Sequence, residues 1–231
     1  MEKSELYNWL SVLYLLFMTD AFSTKYIDIL WIWVIIILVA GNAKRVYIMK
    51  YEFILCYIRR LLYVFPFFFT LVYIEPFIFN IESIWWLIIG GVIGAFMQIP
   101  KLKDWILIWD YDIIKWNQKQ DYDYLSSFVM LLCVPIGEEI FYRAFILEQA
   151  NNVAAGIITS VLLFVLNHFG TKWNTKFRMY DLIVQIVFSI VSCYLYIASK
   201  SVFPCIVAHS FYNLPLMIYN IRGYMLCKRK D

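Results

Sequence analysis

Glu138-Glu139-Ile140-Phe141-Tyr142-Arg143 sets two carboxylates and a guanidinium inside an otherwise apolar stretch, preceded by Val134-Pro135-Ile136-Gly137. An ionised side chain at the centre of a membrane helix costs roughly 2.5–3.5 kcal/mol, so such residues face the interior of a bundle and mark function. Residues four apart share a helix face. Glu139 is therefore expected to pair with Arg143, whereas Glu138 has no such partner within its own helix. Glu138 is the better candidate for a general base acting on water or substrate between helices. The competing explanation is an ion pair with a purely structural role.

The chain has only two histidines, and each falls in an i, i+4 pattern: Phe164-x-x-x-His168 and His209-x-x-x-Asn213. On a helix His209 and Asn213 project from one face and can present two donors to a single developing oxyanion. Phe164 is expected one turn beneath His168 as apolar support. Taken alone, a membrane histidine is more often a hydrogen-bonded packing residue than a catalytic one.

These residues need a scaffold that water does not supply. Of 231 residues 63% are hydrophobic and 16% charged, which points to one all-α polytopic transmembrane bundle. Apolar windows predict about eight spans, at 6–22, 26–41, 53–74, 82–99, 125–149, 152–169, 180–199 and 202–221. Between the fourth and fifth, Lys101, Lys103, Asp104, Asp110 and Asp112 alternate with Trp105, Ile106, Ile108, Trp109 and Trp116. That pattern predicts an interfacial amphipathic helix. The N-terminal apolar run lacks a small-residue cleavage pattern and is expected to be retained as a span. On this map Lys25 and Lys200 alone face one side, Arg143 lies within a span, and every other Lys and Arg faces the opposite side. Basic residues accumulate in cytoplasmic loops, so both termini are expected in the cytoplasm.

The net charge of +3 is small, and the basic residues lie beside apolar runs, which fits a lipid bilayer and not a nucleic-acid partner. The cysteines (Cys56, Cys133, Cys193, Cys205, Cys227) form no CxxC pair, and the first four, in apolar segments, are expected to behave as small hydrophobes. No repeat or linker divides the chain. It is expected to form a single membrane domain over 1–231, with the motifs inside 135–215.

In this combination the sequence resembles the CPBP (CaaX protease and bacteriocin-processing, or Abi) intramembrane proteases. Their motifs EExxxR, FxxxH and HxxxN occur here in order as Glu138 to Arg143, Phe164 to His168 and His209 to Asn213. The resemblance implies that Glu138 activates water, His168 orients or polarises it, and His209 with Asn213 holds the oxyanion. Glu139 and Arg143 would hold the site together. It leaves two cofactor readings open: no metal, or a divalent metal such as zinc on Glu138, His168 and His209. The soluble zinc-protease pattern HExxH is absent. The implied partner is a peptide or membrane-protein substrate, and the implied setting is the bacterial cell membrane, in bacteriocin immunity or peptide maturation.

Two other classes compete with a protease. One is a non-catalytic membrane interaction or immunity protein. The other is an ion-coupled transporter, disfavoured by the lack of an internal repeat. One tension stands within the leading reading: with a sixth span ending near 169, His168 would lie nearer the cytoplasmic surface than Glu138. A sixth helix running past Gly170, a shifted boundary or a tilted span would relieve it, and Pro135 with Gly137 could kink the fifth.

Overall fold

The computed structural model describes residues 3–17, 26–43, 48–74, 79–109, 119–172 and 179–229. Among these residues the regular structure is helical throughout. We label the helices α1 (Lys3–Phe17), α2 (Tyr26–Ala43), α3 (Glu52–Tyr73), α4 (Ile84–Phe96), α5 (Leu102–Trp109), α6 (Asp121–Gln149), α7 (Val153–Lys172), α8 (Met179–Ser199) and α9 (Phe203–Lys228). All but α5 match the expected spans in order. By length and composition α3, α6 and α8 qualify to cross a membrane. Apolar segments in α1, α2, α4 and α7 are shorter, so eight complete crossings do not follow from the helices alone. Residues 18–22 of the first expected span lie outside the described residues, as do 110–118 of the interfacial segment. So do Lys25, Lys44, Arg45, Lys115, Lys176, Arg178 and Lys230, on which part of the orientation argument rests.

Two helices change pitch. Helix α3 is α-helical over Glu52–Val64 and tightens to 3₁₀ over Phe65–Tyr73, where Pro66 at the junction brings no backbone N–H. Helix α6 runs through Pro135 as α-helix to Glu139, widens to π-helical geometry over Ile140–Phe145 and closes with Ile146–Gln149. All the π-helical residues are buried, because α6 is surrounded by its neighbours at this level. Trp33 of α2 stacks on Phe141, Phe67 of α3 packs edge-on to it, and Tyr142 meets Phe164 of α7 edge-on. This aromatic layer is the core. Its outer polar ties are Trp33 to Ser11 (2.7 Å) and Tyr14 with Thr159 (2.9 Å), which fix α1 to α2 and α7.

Helix α9 lies along both α6 and α4. Its approach to α4 depends on Gly90-x-x-x-Gly94: a methyl group on Gly90 would collide with the Pro204 carbonyl, and one on Gly94 with that of Ala208. Small residues four apart let membrane helices meet backbone to backbone. The other face of α4 exposes Ile84, Trp85, Ile88, Val92 and Phe96, as expected of a surface solvated by lipid tails. Helix α5 covers part of the predicted amphipathic segment. Leu102, Ile106 and Trp109 are exposed and Ile108 is buried. Its C-terminal carbonyls at Ile108 and Trp109 accept from the Arg222 guanidinium, which also lies 4.6 Å from the Trp109 ring centroid. A cation placed there satisfies carbonyls that the helix leaves open and complements its dipole.

Candidate active site

The two adjacent carboxylates sit at the end of the α-helical part of α6, where the π-helical stretch begins. Both are fully buried. Glu139 meets Arg143 as the spacing predicts, Nε to Oε2 at 3.1 Å with both side chains buried. The contact is an ion pair whose N–H is not aimed squarely at the oxygen, since neither atom counts as hydrogen-bonded. Arg143 also reaches Ser160 on α7 (3.4 Å), and its guanidinium lies 4.8 Å from the Phe164 ring centroid. A desolvated cation over an aromatic face gains from the ring quadrupole.

The second oxygen of Glu139 does something the sequence did not reveal. Oε1 lies 2.7 Å from Nδ1 of His209. An ionised carboxylate only accepts, so Nδ1 donates and the ring is fixed with Nε2 pointing the other way. That Nε2 lies 3.9 Å from Oε2 of Glu138. One histidine thus stands between the two carboxylates, tied to one and facing the other.

His168 lies on α7, which continues past Gly170 to Lys172. Its Nδ1 is 2.9 Å from the Phe164 carbonyl. A carbonyl can only accept, so this nitrogen donates and leaves Nε2 as the acceptor in the neutral ring. Phe164 is more than support for one residue. Its ring lies 4.4 Å from that of His168, 6.0 Å from that of His209 and 5.3 Å from that of Tyr142, centroid to centroid. It forms the common wall of the cluster. His209 is further flanked by Phe188 of α8 at 5.3 Å. Asn213, one turn beyond His209, is half-buried and takes no part in these contacts.

Two polar residues join the site without belonging to the expected set. Tyr63 of α3 directs its hydroxyl at Oε1 of Glu138 (3.5 Å), and Asn167 of α7 directs its amide at the Tyr63 oxygen (3.4 Å). Asn167 had one available clue, its place inside the FxxxH motif beside His168. Tyr63 had none, being one of 18 tyrosines and lying in the half of the chain without motifs.

Among the described residues no group of three or more His, Cys, Asp and Glu side chains is arranged to hold a metal ion, and Glu138, His168 and His209 as placed are not an exception. The Nδ1 atoms of both histidines are engaged by Glu139 and by the Phe164 carbonyl.

Residues 120–215 match the family model described as type II CAAX prenyl endopeptidase Rce1-like, which agrees with the family the three motifs resemble. The matched segment runs from the start of α6 into α9 and contains every expected site residue. No curated protein and no solved structure matches the chain.

Proposed function

Because residues 120–215 match the Rce1-like CAAX endopeptidase family model, we propose that this integral membrane protein is an intramembrane endopeptidase in which Glu138 activates the hydrolytic water. The observation that carries this reading is the placement of a buried carboxylate, 3.9 Å from a histidine nitrogen that a second carboxylate orients. Glu138 takes one proton from a water, whose oxygen bonds to the scissile carbonyl carbon. With Nδ1–H given to Glu139, Nε2 of His209 donates only when the ring carries a second proton; in that imidazolium form its Nε2–H and the Asn213 amide, four residues along the same helix, donate to the resulting oxyanion. The C–N bond then breaks as Glu138 returns its proton to the leaving amine. His168, with Nδ1 committed to the Phe164 carbonyl, offers Nε2 as acceptor to orient the attacking water.

Glu139 and Arg143 hold this arrangement, and Glu139 does so through His209. These steps use no metal; a divalent metal, if bound, would draw on Glu138, His168 and His209. Metal content measured in the purified protein, with loss on mutating either histidine, decides between the two readings. The basic-residue asymmetry supports cytoplasmic termini and cleavage of a peptide or membrane-anchored substrate from the cytoplasmic half of a bacterial membrane. Within that setting the role is peptide maturation or bacteriocin immunity.

Purified protein reconstituted in liposomes, given a quenched-fluorescence peptide mixture and a farnesylated CaaX peptide in parallel, tests the reading. Glu138→Ala, His168→Ala and His209→Ala, compared at matched folding and expression, are expected to abolish cleavage. No cleavage by the wild-type protein, with biological activity equal in wild type and all three variants, would eliminate the protease reading and leave a binding or immunity protein; full cleavage by Glu138→Ala alone would remove Glu138 as the base.

A further inference from the structure

Glu138 would be a poor base if its carboxylate were free to rotate toward the nearest cation. The constraint comes from α3. Gly137, next to Glu138, has no side chain, and an added Cβ would lie 3.1 Å from both Val64 Cγ1 and Phe67 Cβ. The missing side chain lets α3 settle against α6 at this level, and the residue before Val64 is Tyr63. Its hydroxyl faces Oε1 of Glu138 at 3.5 Å, leaving Oε2 on the His209 side at 3.9 Å. Asn167 Nδ2 donates to the same tyrosine oxygen at 3.4 Å. With one lone pair of that oxygen taken by an amide donor, the O–H is turned toward the carboxylate. Catalytic hydrogen bonds are often long before substrate binds and shorten in the working complex.

We infer that Tyr63 is a positioning residue for the proposed hydrolysis: its hydroxyl, aligned by Asn167, holds one oxygen of Glu138 so that the other addresses the water. This rests on the endopeptidase reading above. It adds a contribution from outside the matched segment, since α3 precedes residue 120. A hydroxyl donating to a carboxylate is a charge-assisted bond, stronger than one between neutral groups. Asn167 acts one step further out, through its bond to the tyrosine oxygen.

The test uses the full-length protein in liposomes with the same peptide mixture. Tyr63→Phe is expected to lower kcat by roughly tenfold with KM and melting temperature unchanged, because the phenyl ring keeps its packing while the donor is lost. Asn167→Ala is expected to lower kcat by a smaller factor. Combining the two should cost no more than Tyr63→Phe alone, since the amide has nothing left to align. Independent structural effects would multiply instead. Glu138→Gln in the same assay separates this inference from the reading beneath it. If Glu138→Gln is inactive while Tyr63→Phe turns over at the wild-type rate, or if the two losses multiply, the positioning role is wrong and the protease reading stands. If Glu138→Gln cleaves like wild type, both are wrong.

Discussion

Arg143 and Glu139 owe their buried places to each other and to His209, so single and paired replacements should behave very differently. Removing Arg143 alone leaves the Glu139 carboxylate, tied to His209, without its cation in a region that excludes water. Breaking a buried pair by one partner costs about 3–5 kcal/mol, whereas replacing both with neutral groups is often close to neutral. Arg143→Met is therefore expected to lower the melting temperature sharply in thermal unfolding, and Arg143→Met with Glu139→Gln to recover most of that loss. Activity should not recover, because Glu139 also fixes Nδ1 of His209. Glu138→Gln separates chemistry from stability in the opposite sense: cleavage is expected to fall by about 10²- to 10⁴-fold, the usual worth of a general base, with unfolding unchanged. The i, i+4 rule made the Glu139 to Arg143 pair legible in the sequence, because both partners lie on one helix. The bond from Glu139 to His209 spans helices 70 residues apart in the chain, and no local periodicity carries it. For the same reason the spacing joined His209 to Asn213 without revealing which carboxylate would orient the ring.

At the level of helices, the distance between α4 and α9 determines where His209 sits. Gly94 meets the carbonyl of Ala208, the residue next to His209, so bulk there should move His209 through the backbone. Gly91, on the same helix, provides the control. A Cβ there would meet Phe211 and Val207 side chains at 3.7–3.8 Å, an ordinary contact. Gly94→Val is expected to lose both activity and stability, and Gly91→Ala to change neither by more than about 0.5 kcal/mol, the usual scale away from such features. Cleavage rate and melting temperature measured side by side decide it. Apolar windows located the helices well because lipid and core both demand unbroken hydrophobic runs. They did not show the 3₁₀ end of α3 or the π-helical stretch of α6. Pro135 and Gly137 suggested a kink, yet the helix passes through both and changes pitch afterwards, where Trp33, Phe67 and Phe164 surround it.

For the whole molecule, the boundary of the matched segment and the boundary of the working unit differ. Tyr63 and the glycine seat for α9 lie before residue 120, while Arg222, which caps α5, lies after 215. A chain cut down to 120–215 would keep every motif and lose the helices that align them. The contacts of α3 with α6, of α4 with α9 and of Arg222 with α5 run between the two sides of the connection that joins α5 to α6. They are the kind of interface that assembles independently of covalent linkage, as helices inserted separately pack within a bilayer. Two polypeptides divided between α5 and α6 and produced together should therefore co-purify and cleave peptide, whereas the C-terminal piece alone should not. The protein would then behave as a natural two-component enzyme whose first component contains none of the chemistry and is still required for it.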